Sequence, residues 1–446
     1  MARKAAGQAK AYVELIEKIK SRTAQVGVIG LGYVGLPLSI ELAKVGLKVT
    51  GFDISKPKIK LLNAGKSDID DVEDAAVAEM VNSGYFKATD DPKLIAKMDT
   101  VSVCVPTPLS KTKDPDVSYI LAAMDWVKDH LKPGALVVLE STTYPGTTED
   151  LILPRLEEGG RKVGTDFFLA FSPERVDPGN PVYTTKNTPR VVGGITPACT
   201  KVAKVFYEQT IPNIYPVSST QAAEMVKLLE NTFRSVNIGL VNEVALMCDR
   251  LGLDVWEIID AAATKPFGFM PFYPGPGLGG HCIPIDPHYL SWKLKSLNYY
   301  ARFIELAGDI NSHMPEYVVA RIGQMLNRRF AKAINKSTIL VLGVAYKPDI
   351  KDTRESPALD VIKLLEDKGA KIVYNDPYVD EIDWNSSKHR SSELTAAVLK
   401  KADLTVILTN HSDYDYDWVV EQARAIFDAR NATKVVKKHR SKIELL

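Results

Sequence analysis

Residues 26–37 read Val26-Gly-Val-Ile-Gly-Leu-Gly-Tyr-Val-Gly-Leu-Pro37, and their pattern identifies the first structural unit of the chain. Its start, Val26 to Ile29, is a short apolar run that is typical of a buried strand. The pattern then predicts a helix as far as about Lys44 and a second strand from Lys48 to Phe52. Together these elements form one βαβ unit.

Three glycines, Gly30, Gly32 and Gly35, have GxGxxG spacing between the first strand and the helix. Glycine permits a tight turn and lets a pyrophosphate approach the helix N-terminus closely. Asp53 follows the second strand, where a carboxylate can accept hydrogen bonds from the adenine ribose and repel a 2′-phosphate. The pattern therefore predicts a dinucleotide site that prefers NAD to NADP, although such a turn can also serve packing alone.

Two α/β patterns lie on either side of a helical middle. Further strands of the first pattern are predicted at 100–105, 135–140 and 167–171. Helical patterns separate them, as in a doubly wound parallel sheet. The second pattern begins at Ser337, with strands predicted at 338–342, 371–374 and 404–408 and a helix at 356–368. Because it lacks a GxGxxG turn, it should not bind a second dinucleotide in the same way.

The middle of the chain is dominated by one long helical pattern from Thr220 to about Arg250, which Gly252 is expected to end. A helix of this length usually spans between domains or packs against a partner subunit. We therefore predict an α/β protein with two Rossmann-like doubly wound domains joined by a long central helix. The predicted domains cover residues 1–215, 216–315 and 316–446.

The composition excludes several other classes of protein. A net charge of +1 over 446 residues gives no field that would favour nucleic acid or an anionic membrane. The four cysteines, at 104, 199, 248 and 282, fit no metal site and no disulfide framework, so a reducing compartment is expected. No signal peptide or membrane-spanning run is recognisable, which favours the cytoplasm. The basic tail, 434–442, is interpreted as a solvated or frayed terminus.

A glycine- and proline-rich stretch, 266–287, follows the helix and contains Pro-Gly-Pro-Gly-Leu-Gly-Gly at 274–280. It carries aromatic residues, whereas a flexible linker would normally be more polar. Loops this long in compact proteins are usually functional. We therefore interpret the stretch as a ligand-binding loop. His281 adjoins Cys282 in this loop, so the two side chains are expected to point in different directions.

Four residues in this middle region could carry chemistry. Lys227 and Asn231 are four apart on the predicted helix and share a face. In a cleft they could stabilise an oxyanion, although helix geometry alone favours a solvated lysine. Cys282 could be a nucleophile if its surroundings activate it, or a buried inert thiol. Asp286 could act as a general base or orient water, or it could only cap a turn.

These motifs together resemble the UDP-glucose/GDP-mannose dehydrogenase family, and the resemblance runs from about Gln25 to Arg430. Beyond the glycine turn, the matching segments are 105–108, 140–143, 172–175, 227–231, 279–286, Lys347 and 352–356. The family implies a four-electron oxidation of the C6 hydroxymethyl group of a UDP-sugar with two NAD in turn. It also implies an N-terminal NAD-binding domain, a central helical dimerisation domain with the cysteine loop, and a C-terminal UDP-binding domain.

The resemblance assigns a role to each candidate catalytic residue. Cys282 is the nucleophile, which forms a thiohemiacetal and then a thioester. Lys227 and Asn231 stabilise the oxyanion. Asp286 and Thr142 hold a catalytic water and assist proton transfer, and Glu174 is implicated in thioester hydrolysis.

The same resemblance implies the binding residues and the assembly. Residues expected to contact NAD are Gly30, Gly32, Tyr33, Val34, Gly35, Asp53, Lys58, Thr107, Thr142 and Arg354. Residues expected to contact the UDP-sugar are Glu174, Arg175, Lys227, Asn231, Tyr273, Gly275, Gly277, Gly279, Lys347 and Arg430. A homodimer or higher homo-oligomer is expected, with no metal, no nucleic acid and no membrane insertion.

The loop before Cys282 departs from the shorter, phenylalanine-rich loop of the family's UDP-glucose branch, and it lacks an obvious counterpart of the arginine that this branch donates across the dimer. It looks most like the loop of the UDP-N-acetylglucosamine branch, where extra length could accommodate a 2-acetamido group. UDP-N-acetylmannosamine and UDP-glucose remain alternative substrates. A two-electron dehydrogenase would need neither the cysteine nor the second α/β domain, and a non-catalytic nucleotide-sugar binding protein would yield no NADH. A uronic acid product would suit polysaccharide biosynthesis.

Overall fold

The computed structural model describes residues 2–69, 71–110, 114–177, 180, 182–280, 282–384 and 387–446, with the backbone alone for 2–10. The helices are α1 Ala2–Lys20, α2 Gly35–Lys44, α3 Lys56–Asn63, α4 Asp74–Asn82, α5 Ser118–His130, α6 Leu153–Glu157, α7 Pro197–Tyr207, α8 Thr220–Leu251, α9 Val255–Ala263, α10 Asp286–Lys295, α11 Arg302–Phe330, α12 Pro357–Asp367, α13 Ala396–Lys401 and α14 Tyr416–Gln422. The strands are β1 Gln25–Ile29, β2 Lys48–Phe52, β3 Phe86–Thr89, β4 Thr100–Val103, β5 Leu136–Leu139, β6 Phe168–Phe171, β7 Arg190–Gly194, β8 Ile214–Pro216, β9 Thr338–Leu342, β10 Lys371–Asn375, β11 Glu381–Trp384, β12 Ser387–Arg390, β13 Leu404–Ile407, β14 Ile426–Asp428 and β15 Ile443–Leu445.

The chain forms two compact units, one from Met1–Glu230 with His288–Asn298 and the other from Asn231–Pro287 with Tyr299–Leu446. The first unit contains a sheet of order β3-β2-β1-β4-β5-β6-β7-β8, in which only the β6–β7 pair is antiparallel. Central strands such as β5 are buried at every position, as expected for a parallel sheet covered on both faces. This order extends the doubly wound nucleotide-binding order 3-2-1-4-5-6.

The second unit contains a parallel sheet of order β10-β9-β13-β14-β15 and a separate β11–β12 hairpin. Its core is formed by residues from α11, α12 and the strands, with Val318, Ile339 and Val406 fully buried. The prediction of an α/β fold with two Rossmann-like doubly wound domains and a long central helix is confirmed, and the first sheet departs from a purely parallel one at the β6–β7 pair. Predicted strand ends differ from the observed ones by at most two residues.

The long helix α8 runs from Thr220 to Leu251, and the division between the two compact units falls within it, after Glu230. Gly252 follows with φ +68°, the left-handed conformation that commonly ends a helix and that glycine adopts without strain. The three predicted domain ranges stay a prediction. Within the described part of the chain, no helix is long and apolar enough to cross a membrane.

Of the predicted solvated or frayed basic tail, 434–442, the structure confirms the solvated part, since 437–441 are exposed, and contradicts the frayed part. The last strand, β15, pairs in parallel with β14. Arg321 and Arg328 both bind the carboxylate of Glu444, and the Lys442 ammonium donates to three backbone carbonyls, those of residues 420, 421 and 423. Fraying was predicted because most of the residues that hold this segment lie far away in the sequence.

Candidate active site

The glycine turn after β1 has the geometry that a dinucleotide requires. Gly30 has φ +90°, and a Cβ there would lie 2.6 Å from the Cys104 carbonyl oxygen. A Cβ on Gly35, the first residue of α2, would lie 1.8 Å from the Gly30 carbonyl oxygen. By contrast, a Cβ on Gly32 would meet nothing within 4 Å, so the space above the turn is open. Two glycines thus hold the helix N-terminus against the strand, and the third leaves room for a pyrophosphate.

Asp53 and Lys58 both hold the backbone of this turn. The Asp53 carboxylate accepts hydrogen bonds from the backbone N–H of Leu31 (3.0 Å) and of Ser55 (2.9 Å). The Lys58 ammonium donates to the Leu31 carbonyl (3.2 Å) and pairs with Asp68 (2.7 Å). Each carboxylate oxygen has further acceptor capacity, so Asp53 can still meet a ribose. Tyr33 and Val34 complete the turn; Tyr33 is exposed and Val34 is half-buried.

Buried charges meet at the carboxyl ends of β5 and β6. The Arg190 guanidinium, 3% exposed, lies 2.8 Å from Glu140 and 2.5 Å from Glu174. The Tyr207 hydroxyl donates to the other oxygen of Glu140 (2.7 Å). Burial would lower the pKa of Arg190, but the two carboxylates outweigh it and raise the pKa, so the guanidinium stays charged. Burial raises the pKa of Glu140, although Arg190 and Tyr207 oppose the rise.

Glu174 is held at three points. One carboxylate oxygen binds Arg190, and the other accepts the backbone N–H of Arg175 (2.8 Å) and of Val176 (2.9 Å). Its backbone carbonyl accepts the Lys227 ammonium at 2.6 Å. Lys227 is 8% exposed, so the alternative that it lies on a solvated face is wrong. The structure therefore brings together two of the predicted catalytic residues, through a backbone atom.

Three other predicted residues lie in the first unit. Arg175 binds the carboxylate of Glu230 and donates to the Pro189 carbonyl (2.8 Å). Thr142 is half-buried in the segment that follows Glu140 and Ser141. The carbonyl of Thr107 accepts the hydroxyl of the fully buried Tyr289.

In the second unit, Asn231, Asp286 and Cys282 form a connected group. The Asn231 side-chain amide donates to the Asp286 carboxylate (2.5 Å), and Asp286 is 2% exposed. The backbone N–H of Asp286 donates to the Cys282 carbonyl (2.8 Å), which begins the turn that leads into α10. Cys282 is half-buried, whereas the other three cysteines are buried, and none of the four forms a disulfide. Cys282 is thus the most exposed of the four cysteine residues. His281 lies outside the described residues.

The glycines of the predicted sugar loop pack where no side chain would fit. A Cβ on Gly275 would lie 2.3 Å from the Arg430 guanidinium, and one on Gly277 (φ +142°) would lie 2.8 Å from Pro357. A Cβ on Gly279 would lie 2.8 Å from Tyr346 and 2.9 Å from the Glu355 carbonyl. The loop thus lies directly against the 346–357 segment and against Arg430. It brings Gly275, Gly277 and Gly279 close to the segments that carry Lys347 and Arg354.

The remaining predicted residues have partners within the second unit. The Tyr273 hydroxyl donates to Asp260 (2.6 Å), and its ring stacks on Trp256. The Arg354 guanidinium forms an ion pair with Asp352 (2.5 Å). The backbone carbonyl of Arg354 accepts the Gly280 N–H (3.2 Å).

Lys347 is half-buried after β9. Arg430 follows β14 and donates from Nε to the Asn410 side chain (3.4 Å). Burial lowers the pKa of Arg430, and the nearby Asp428 carboxylate opposes this shift.

Sequence reasoning missed the residues that hold these groups in place. Arg190 is one of these residues. A charged residue at the start of an otherwise apolar strand was the feature of the sequence that could have indicated it. Asn242 is another: it is fully buried on α8, accepts the Gly275 N–H (3.0 Å) and donates to Asn311 (2.8 Å). An asparagine inside a long helix has no sequence signal that separates this role from a solvated one.

The chain is similar to known proteins along most of its length. Three sequence models of the UDP-glucose/GDP-mannose dehydrogenase family match the chain: the NAD binding domain at 24–211, the central domain at 221–313 and the UDP binding domain at 340–435. The UDP-N-acetyl-D-mannosamine dehydrogenase of Pyrococcus horikoshii is 36% identical, with 92% of this chain and 96% of the relative covered. The UDP-N-acetyl-D-glucosamine 6-dehydrogenase of Pseudomonas aeruginosa is 35% identical, with 80% and 84% covered.

Solved structures give the same result. The UDP-D-ManNAc dehydrogenase structure from Pyrococcus horikoshii superposes with a TM-score of 0.85 at 34% identity, covering 94% of this chain and 98% of that one. The UDP-N-acetyl-mannosamine dehydrogenase Cap5O from Staphylococcus aureus superposes with a TM-score of 0.80 at 33% identity, covering 95% and 97%.

Proposed function

The chain belongs to the UDP-glucose/GDP-mannose dehydrogenase family and is an NAD-dependent UDP-sugar dehydrogenase; within that family, we propose that its substrate is UDP-N-acetylglucosamine. The proposed reaction is a four-electron oxidation of the C6 hydroxymethyl group to the carboxylate. The observation that carries the reaction type is the linked group of Cys282, Asp286 and Asn231. A two-electron dehydrogenase would need no cysteine whose backbone carbonyl binds the same aspartate that pairs with a buried asparagine.

NAD, when bound, accepts one hydride in each of the two oxidations. The first oxidation removes a hydride and a proton from the C6 alcohol and leaves an aldehyde. The Cys282 sulfur then forms a bond to the aldehyde carbon, which gives a thiohemiacetal. Loss of a second hydride and of the hydroxyl proton leaves a thioester, and water breaks the C–S bond to release the acid and restore the thiol. Overall, one alcohol, one water and two NAD+ yield one carboxylic acid, two NADH and two protons.

The chain's own groups have separate proposed tasks in these steps. Lys227 places a positive charge where the C6 oxygen becomes negative, and its contact with the Glu174 carbonyl fixes the ammonium. Asn231 also stabilises the negative charge that develops on the C6 oxygen. Its hydrogen bond to Asp286 holds that carboxylate in place, so that Asp286 can orient the hydrolytic water. Thr142 assists proton transfer. We propose that Glu174 takes part in thioester hydrolysis from the position that Arg190 gives its carboxylate.

We propose the predicted residues as the binding groups for cofactor and substrate. The open glycine turn with Tyr33, Val34, Asp53 and Lys58 would hold NAD, together with Thr107, Thr142 and Arg354. The UDP-sugar would meet Arg175, Tyr273, Lys347, Arg430 and the loop glycines. We also propose the domain division 1–215, 216–315 and 316–446 for the NAD-binding, central and UDP-binding parts.

The substrate proposal depends on the long loop that ends at Cys282. Its glycines pack against the 346–357 segment without space for side chains, so the loop has a defined shape that can bound a pocket. A 2-acetamido group would then be selected by the fit of this loop. UDP-N-acetylmannosamine is the second candidate, because the relatives that cover over nine-tenths of the chain include dehydrogenases named for that sugar.

The decisive measurement counts NADH released from UDP-N-acetylglucosamine, UDP-N-acetylmannosamine and UDP-glucose at equal concentrations. We expect two NADH per UDP-N-acetylglucosamine and little from the others. Two NADH from a different sugar would overturn the substrate assignment alone. One NADH per sugar would overturn the thioester route, and binding of UDP-sugars without NADH would leave a non-catalytic nucleotide-sugar binding protein.

We further propose that the protein is a homodimer whose interface includes α8. Phe233, Leu240, Met247 and Leu251 on this helix are each at least 47% exposed, at spacings of seven, seven and four residues. Such spacings place them along one face, and exposed apolar stripes of this kind mark protein–protein contacts. Sedimentation should give a dimer for the wild type and a monomer for Leu240→Glu; a monomeric wild type would refute this.

Four thiols without disulfides fit a reducing compartment, and we propose the cytoplasm as the location.

A further inference from the structure

His411 is a buried histidine that contacts the loop after β9, the loop that carries Lys347. His411 lies after β13 and has no exposed surface. Its Nδ1 accepts the backbone N–H of Asp349 (2.9 Å), and its Nε2 lies 3.0 Å from the Asp376 carboxylate. A backbone N–H can only donate, so Nδ1 carries no hydrogen and Nε2 donates to Asp376. Both ring nitrogens are therefore used, and the ring has one tautomer.

Asp376 is a rigid partner for this histidine because the backbone fixes its carboxylate. It directly follows β10 and accepts the N–H groups of Val344 (2.7 Å), Tyr378 (2.9 Å) and Val379 (3.1 Å). Burial would raise the pKa of Asp376, but the hydrogen bonds from His411 and the backbone outweigh it and lower the pKa. An ionised, immobile carboxylate thus fixes the orientation of the ring, as carboxylates do behind metal-bound histidines.

The other side of the ring holds a strained loop residue. Asp349 has φ +62°, a left-handed conformation that is uncommon for residues other than glycine. Such conformations persist where the surroundings hold them. Here the His411 ring accepts the Asp349 N–H, and the Asp349 carboxylate accepts the N–H of Ser412 (2.7 Å). These two reciprocal bonds join the loop after β9 to the loop after β13, two residues from Lys347.

We propose that His411 is a positioning residue for the nucleotide sugar: through the Asp349 N–H it holds the 347–352 loop in the shape in which Lys347 binds the UDP moiety. The inference rests on the proposed function, since that is the source of the UDP-binding role of Lys347. His411 itself touches no reacting atom in this scheme. Its effect should therefore appear in substrate affinity and leave the rate at saturation nearly unchanged.

A purely structural role for His411 predicts a different result, so the variants must separate the two. The ring also packs against Tyr378 (centroids 5.1 Å apart) and Tyr414 (5.9 Å). His411→Phe keeps this aromatic packing and removes both hydrogen bonds. His411→Asn places a side-chain oxygen near the position of Nδ1 and can again accept the Asp349 N–H. Val406→Ala, at a fully buried position of β13, is the control for general loss of stability.

The experiment measures steady-state kinetics with UDP-N-acetylglucosamine and NAD, and amide hydrogen exchange of the 344–352 segment without substrate. For His411→Phe we expect about a tenfold rise in KM for the UDP-sugar, KM for NAD and kcat within about threefold, and faster exchange at Asp349. His411→Asn should recover most of the affinity, and Val406→Ala should leave KM unchanged.

An unchanged KM in His411→Phe, or a rise equal to that in Val406→Ala, overturns the inference. If the wild type oxidises no UDP-sugar, the proposed function fails instead. Exchange at Asp349, which needs no substrate, then still decides whether His411 holds the loop: acceleration in His411→Phe supports that it does, and unchanged exchange refutes it.

Discussion

Glu224, on the first turns of α8, makes the protein's stability depend on pH in a direction that can be worked out from its surroundings. Its side chain is fully buried. One carboxylate oxygen accepts the Gly146 N–H (2.6 Å), and the other contacts the N–H (2.9 Å) and the hydroxyl (2.7 Å) of Thr148. Burial raises the pKa of Glu224 from 4.5 to about 7, although these hydrogen bonds oppose the rise. The protonated acid could keep all three contacts, because the Thr148 hydroxyl can also accept.

A carboxyl group whose pKa is higher in the folded state binds more protons when folded. Its stabilising contribution is complete below the unfolded pKa and is lost as pH rises through the folded pKa. The rise from 4.5 to about 7 spans about 2.5 pH units, and each unit corresponds to about 1.4 kcal/mol. The wild type should therefore lose up to about 3 kcal/mol from this group between pH 4.5 and pH 7.

The assay is thermal unfolding of the wild type and Glu224→Gln from pH 5 to pH 8 in one buffer series. The glutamine side chain of the variant cannot ionise, so the stability of the wild type relative to the variant should fall as pH rises. Glu149→Gln is the control. Glu149 is exposed in the 146–150 segment that Glu224 contacts, and among the contacts described it binds only the Gln221 side chain (3.0 Å). A stability difference that does not change with pH would show that folding does not raise the pKa of Glu224. A difference that rises with pH would show that the three donors outweigh burial.

Four further outcomes are expected. Cys282→Ser should lower steady-state NADH production by about a thousandfold or more, because the thioester cannot form; retained two-NADH turnover would contradict the mechanism. Arg190→Met should cost about 3–5 kcal/mol in unfolding free energy by removing the charge partner of buried Glu140 and half-buried Glu174, against about 0–1 kcal/mol for the partly exposed pair lost in Arg155→Met. Asp53→Asn should raise the NADP-to-NAD ratio of kcat/KM about tenfold by removing the charge that repels a 2′-phosphate. Gly277→Ala should raise the UDP-sugar KM, whereas Gly268→Ala, also at positive φ but with nothing within 4 Å, should not; equal effects would mean that backbone strain alone matters.

The features that were predictable from the sequence are those set by local pattern. The buried strand, the glycine turn and Asp53 lie within about 30 residues, and chain geometry brings them together. The shared face of Lys227 and Asn231 follows from the helical period. The helical period does not predict that Lys227 is buried. Its burial depends on Glu174, which lies 53 positions away in the sequence.

The features that could not be predicted are long-range polar pairs. Arg190 is 50 residues from Glu140, and His411 is 62 residues from Asp349. A basic or polar residue next to an apolar run is ordinary at a strand end. The local sequence around such a residue therefore does not indicate which distant residue it contacts. Only the sheet order, which brings distant strand ends to one edge, makes these pairs possible.

Three of the contacts over long sequence distances share a physical property: a buried side chain is bonded to a backbone atom of another segment. Asn242 accepts the Gly275 N–H, His411 accepts the Asp349 N–H, and Lys227 is held by the Glu174 carbonyl. A backbone atom is present whatever side chain the loop carries. The loops can therefore change their side chains, and with them the sugar they select, while the buried side chains preserve their shape. Exchange of loop side chains should consequently alter substrate choice at little cost in stability, whereas loss of a buried partner should cost affinity for every UDP-sugar alike.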